Sequence, residues 1–154
     1  MRLPEECGAG SRTLSWPDVR TRLEQAMHYW LATTRPDGRP HVVPVDGLWV
    51  DDVWYFGGSP ETIHQRNLRT HPEVVVHLPD PMAAVIVEGR AAWRRPQLAD
   101  AKRLVADSKG KYGYAPPPAT YIAGTWALAP RRVLAWTSIT DDPTRFEFAG
   151  TRAG

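Results

Sequence analysis

The chain concentrates its chemistry-bearing residues between Phe56 and Asn67, where a glycine pair, Gly57-Gly58, runs into Ser59-Pro60 and then His64, Gln65, Arg66 and Asn67. Glycines let backbone approach a ligand closely, a serine hydroxyl donates to an oxyanion, and a helix start presents N–H groups with no acceptor of their own. Such a turn holds a phosphoryl group. His64 donates one hydrogen bond when neutral and pairs with phosphate when protonated. Arg66 either grips a phosphate with both arms of its fork or remains a solvated helix residue, and Asn67 either touches the ligand or fixes the turn after the helix. Gly-Ser-Pro turns also occur without ligands, so the pattern needs its setting.

That setting is rich in β-type segments. Ser15 with Pro17 starts a helix whose Val19, Leu23 and Ala26 recur at helical spacing. His28 to Thr34 reads as a strand, and Arg35-Pro36-Asp37-Gly38 supplies hairpin turn chemistry before a partner strand over Pro40 to Val50. Pro44 lacks an N–H, which makes this partner an edge or bulged there. Val53 to Gly57 is the next strand, Ser59 caps a helix with Pro60 in its first turn, and Pro72 ends that helix. Glu73 to Leu78 and Ala83 to Arg94 follow as strands, the latter with a bulge at Gly89. Pro96 to Ser108 reads as a helix, and the proline- and tyrosine-rich Lys109 to Ala123 as a loop folded over a surface. A final hairpin over Gly124–Leu128 and Arg131–Ser138, with a closing segment at Arg145–Phe148, brings the expectation to six or seven strands and three helices. Strands at this spacing favour an antiparallel barrel over the alternating strand and helix of a Rossmann or Walker fold.

The totals are those of one ordinary domain: 154 residues, 42% apolar, 23% charged, net charge +2. Residues 15–154 are expected to form it, behind a flexible tail over residues 1–14. Nearly all positive charge is arginine, the lysines being Lys102, Lys109 and Lys111. Arginine suits anions, but its preference over lysine equally follows from GC-rich coding. Arg94-Arg95 and Arg131-Arg132 are too sparse for a nucleic-acid face. The single cysteine, Cys7, excludes an internal disulfide, and His41, His71 and His77 show no ligand spacing, so no metal is expected. Met1–Arg12 lacks the apolar core of a secretory signal and no later run spans a membrane, giving the expectation of a soluble cytoplasmic protein. Ser59 has no nucleophile-elbow context, which argues against hydrolysis.

The segments YWLATTRPDGRPHVVPV, VWYFGGSPETIHQRNLRTHPEVVVHL, VIVEGRA, TWALAPRRVLAW and TRFEF, in this order, resemble the pyridoxamine 5'-phosphate oxidase-like, FMN-binding split-barrel superfamily. Within it the chain is most similar to the B group of deazaflavin-dependent reductases. The resemblance spans about Ser15 to Phe148. It implies a mainly β, homodimeric split barrel with cofactor sites at the subunit interface. It further implies coenzyme F420, or FMN in the nearest alternative, with the ring along Val43, Pro44 and Val45. The phosphate then lies near Phe56, Gly57, Ser59, His64, Gln65, Arg66 and Asn67. Most relatives carry lysine where this chain has His64. The implied activity is hydride transfer to a small unsaturated or quinone-like substrate, with the chemistry borne by the cofactor and no catalytic side chain required. Placement suggests Tyr114, Tyr121 and Trp126 for the substrate pocket. Trp54 and Trp136 read as core, Trp93 and Trp126 as residues facing a ligand or partner. A non-catalytic protein holding flavin, deazaflavin or haem is the competing reading.

Overall fold

The computed structural model describes residues 12–149. The expected tail therefore lies largely outside the described residues, as does Cys7. The first helix, α1 (Trp16–Gln25), begins where the sequence indicates: the Ser15 side chain accepts from the Asp18 amide, and Val19 and Leu23 are buried. Arg22 on its other side donates to the carbonyls of Ala83, Ala84 and Trp136, so the helix closes one end of the sheet.

Eight antiparallel strands follow among the described residues: β1 (Tyr29–Thr34), β2 (Pro40–Val45), β3 (Gly47–Val50), β4 (Val53–Phe56), β5 (Glu73–His77), β6 (Val85–Arg94), β7 (Thr125–Ala135) and β8 (Thr144–Glu147). They pair in the order β2-β1-β5-β6-β7-β4-β3, with β8 against the far half of β7. The two ends of that order, β2 and β3, are consecutive in the chain and meet at Asp46. The sheet thus curls into a half-barrel whose edges are joined by the chain itself.

The expected single strand over Pro40–Val50 is therefore two strands. Val45 pairs with Tyr29, where β1 begins, and beyond it the backbone crosses to β4, pairing Gly47 with Phe56. Only glycine permits this crossing, because a Cβ at Gly47 would lie 2.2 Å from Nε1 of the buried Trp54. Pro44 sits opposite Trp30 in regular register on the edge strand, without a bulge.

The final hairpin is likewise corrected. Residues 125–135 form one strand through Pro130, which stands opposite Gly89; the register skips Arg131 there, so the bulge expected at Gly89 lies in β7 instead, beside the proline that lacks an N–H. A Cβ at Gly89 would fall 2.5 Å from the Ala129 carbonyl oxygen. The core is aromatic: Trp54 stacks on Phe56 at 4.2 Å and tilts against Tyr29 at 5.2 Å. Trp16 of α1 packs on Phe146 and Phe148. Trp136, expected in the core, is only half-buried, whereas Trp126 is buried.

Three further helices complete the described chain, α2 (Ile63–Thr70), α3 (Leu98–Tyr112) and α4 (Pro118–Ala123), making four rather than three. Helix α3 runs a turn past the expected end at Ser108 and stops at Gly113, which adopts φ +78°. Contacts of Lys111 and Tyr112 with the β2–β3 crossing hold that extra turn. Pro118 occupies the first turn of α4, where no N–H is needed, so the segment read as loop contains a helix. No helix among the described residues is long and apolar enough to cross a membrane.

Candidate functional site

Strand β4 ends at Phe56, and the exposed Gly57, Gly58 and Ser59 carry the chain to α2. The helix does not start at Ser59. The Thr62 amide and hydroxyl both donate to the Ser59 carbonyl, at 3.0 and 2.8 Å, closing a separate turn. Thr62 becomes the N-cap and makes no side-chain cap bond, so the first turn of α2 keeps N–H groups unsatisfied by that side chain. Gly58 adopts φ +137°, and a Cβ there would come 3.0 Å from His64 Nε2 and 3.4 Å from Gln65 Nε2. Nothing stands within 4 Å of the same position at Gly57. The turn is open on one side and lined by imidazole and amide on the other.

His64 is buried, with Nε2 3.4 Å from the Gly57 carbonyl. Burial lowers its pKa below the ordinary histidine value, outweighing the bond to Gly57. At neutral pH it is an uncharged imidazole beneath the turn. Arg66 is exposed on the same helix. Asn67 is 2% exposed and donates to Thr33 Oγ1 at 2.9 Å, pinning α2 to β1.

Beside the turn lies a cleft of about 360 Å³, within the range of small-molecule sites. Gly57, Gly58 and Gln65 line it together with Asp46 and Gly47 of the β2–β3 crossing, which lie alongside the turn because Gly47 pairs with Phe56. Phe56, Tyr55 and Trp93 contribute from the sheet, and Tyr112, Tyr114 and Tyr121 from α3, α4 and their connection. Of the residues singled out in the sequence, the cleft brings together Phe56, Gly57, Gln65, Tyr114 and Tyr121. Ser59, His64, Arg66 and Asn67 surround the turn without lining the cleft. Val43, Pro44 and Val45 lead up to it along β2 but end before it. Trp126 lies behind it, where its indole N–H donates to Gln65 Oε1 at 2.7 Å. Asp46, Gly47 and Tyr55 were not legible as site residues, and only the crossing between sheet edges brings Asp46 and Gly47 there.

Helix α3 holds that crossing through both backbone groups of Gly47. Its N–H donates to Tyr112 Oη at 3.0 Å, and its carbonyl accepts from Lys111 Nζ at 3.0 Å. Lys111 also donates to Tyr29 Oη at 2.8 Å. Desolvation lowers the Lys111 pKa to about 8, only partly offset by Asp46. Because the folded pKa lies below the unfolded one, the unfolded chain binds more protons between about pH 8 and pH 10. Stability contributed by this site therefore rises with pH through that window and is lowest below it. Lys111→Met leaves Tyr29 bonded to the Leu23 carbonyl and the Gly47 carbonyl within 2.9 Å of Tyr112 Oη. Thermal melts at pH 7 and pH 9.5 should show a rise in wild type relative to the variant; parallel shifts would refute the assignment.

The half-barrel and its glycine turn define a split-barrel protein. The family model described as pyridoxamine 5'-phosphate oxidase matches residues 15–137, and the chain belongs to this family. Among solved structures, an F420 reductase is 24% identical, with a TM-score of 0.57 over 74% of this chain and 94% of that one. A heme binding protein from Mycobacterium smegmatis is 20% identical, with a TM-score of 0.68 over 88% of this chain and 59% of that one. The heme storage protein of Vibrio cholerae is 15% identical, with a TM-score of 0.59 over 78% and 93%. At these identities the likeness establishes the shared fold. No curated protein matches the chain significantly.

Proposed function

We propose that the protein binds coenzyme F420, or FMN in its place, at the Gly57–Gly58 turn and its adjoining cleft, and passes hydride to a small unsaturated or quinone-like compound. The observation that carries this reading is the cleft itself: an aromatic-walled space lined by a glycine turn with spare helix N–H groups and by the backbone of the β2–β3 crossing. The residues present fit such a group. Gly58 leaves room where any side chain would intrude, and Gln65 Nε2 is a buried donor without a partner among the described residues. Ser59 and Arg66 are exposed at the same turn and available to a phosphoryl group.

A bound ring of this kind supplies the hydride chemistry. The chain positions it, with Tyr55 and Trp93 giving flat apolar contact and Tyr114 and Tyr121 excluding water. Neutral His64 adds a hydrogen bond but not the charge of a lysine, so phosphate anchoring leans on Arg66 and backbone N–H groups. The reading includes a homodimer, in which a second copy would cover what one half-barrel leaves open.

Purified protein titrated separately with FMN, F420 and hemin tests the reading. Saturable binding of one flavin or deazaflavin per chain is expected, and, once the bound cofactor has been reduced anaerobically with stoichiometric dithionite, its reoxidation on adding menadione. Saturation by hemin alone, with its Soret band, would replace this reading with haem storage, and tight F420 binding without turnover would replace it with sequestration.

A further inference from the structure

We infer that Gln65 reads the polarity of whatever ring enters the cleft: its carboxamide is locked with the amide NH₂ facing the ligand, and the partner it takes is an uncharged oxo or ring-nitrogen acceptor. This rests on the cleft being the ligand site, as proposed above, and adds the chemistry of the ligand edge that reaches its glycine turn.

The lock is set by Trp126. An indole N–H is a donor only, and it meets Gln65 Oε1 at 2.7 Å in a buried contact. Turning the amide over would set donor against donor, so the orientation is fixed by chemistry rather than by assignment alone. Trp126 is itself held in place, edge-on to Trp93 with ring centroids 5.4 Å apart, and Trp93 seats where a Cβ on Gly124 would lie 2.2 Å from its ring. The remaining group, Gln65 Nε2, is buried on a residue only 5% exposed and has no partner among the described residues. A buried donor left unpaired is costly, and a ligand acceptor removes that cost.

The surroundings set the charge of that acceptor. Among the described residues, Asp46 is the one charged residue lining the cleft, and it is an acid, next to Gly47 where that residue pairs with Phe56. The His64 imidazole is kept neutral and Arg66 does not line the space. An anion drawn deep into the cleft would lose its hydration with no cation to replace it, whereas a ring carbonyl asks only for a donor. The aromatic walls from Trp93 and Tyr121 complete a site for a flat ring. Phosphoryl groups belong outside, at the Ser59–Arg66 side of the turn.

The test uses the full chain and two rings of the same shape, 9-fluorenone and fluorene, followed by tryptophan quenching. Wild type should prefer the ketone by about tenfold or more, since a site built to hydrogen-bond an oxygen rejects the analogue lacking it. Gln65→Glu keeps an acceptor for Trp126 but faces the ligand with a carboxylate at pH 9. Its fluorenone affinity should fall about tenfold there and return as the carboxyl protonates toward pH 5, with fluorene unaffected at either pH. Thermal melts confirm that the variant is folded, and Trp126→Phe, which releases the amide, should also erode the preference. Equal binding of both rings to wild type, no binding of either, or full fluorenone affinity in Gln65→Glu at pH 9 overturns the inference. If FMN or F420 binds while the rings bind alike, this inference fails alone. A ketone preference without cofactor binding would instead sink only the cofactor reading.

Discussion

Gly47→Ala should be among the most damaging single-methyl additions to this protein, lowering stability by about 2–3 kcal/mol. The added Cβ would lie 2.2, 2.6 and 2.9 Å from three atoms of the Trp54 indole. Trp54 is fully buried and stacked on Phe56, itself core, and it tilts against buried Tyr29. It has no free direction in which to retreat. The backbone is equally constrained, since both polar groups of Gly47 are engaged by Tyr112 and Lys111. For a chain of this size the loss corresponds to a fall in Tm of roughly 5–10 °C. Thermal melts of wild type and variant check it. A change within a degree would mean that β3 can shift away from β4, contrary to the packing described.

Gly58→Ala should act on binding more than on folding. At φ +137° any side chain is strained, at a cost of about 1–2 kcal/mol. Its Cβ would press on His64 Nε2 and approach Gln65 Nε2, filling the face of the turn where the donors lie. Affinity for FMN or F420 is expected to fall by more than about tenfold, because the phosphoryl group loses close backbone approach. Gly57→Ala is the matched comparison: no protein atom lies within 4 Å of its Cβ, so folding should change little and any loss of affinity reports contact with the ligand in the cleft. Fluorescence titration of both variants decides the matter. Unchanged affinity in Gly58→Ala would move the binding site away from this turn.

Local signals in the sequence were faithful wherever local chemistry decides. Ser15 caps α1 and Pro72 follows the end of α2, whereas the bulge read at Gly89 falls on Arg131 of the strand opposite. They misled where partners distant in sequence decide. Nothing local announces that the chain breaks pairing at Asp46 and changes sheet edge, since the cause is room beside Trp54. Pro130 reads as a strand breaker until Gly89 is placed opposite it. The Lys109–Tyr112 turn of α3 reads as loop until Gly47 and Tyr29 supply partners for Lys111 and Tyr112. The same holds for the site. The glycine turn and Gln65 were visible from residue types, and Tyr114 and Tyr121 from aromatic content. Asp46 and Gly47 enter the cleft only through the crossing, and Trp126 supports Gln65 from behind the cleft.

The pairing of β4 with β7 carries a consequence for synthesis. Strands β1 and β2 can zip together as soon as both have left the ribosome, but β4 finds its second partner strand, Trp126 to Leu128 of β7, only after most of the chain has been made. Until then the outer edge of β4 has no strand to pair with and is open to other nascent chains. Translation speed over residues 57–124 thus sets how long that edge waits, and slow codons there should lower the yield of folded protein without altering a single residue.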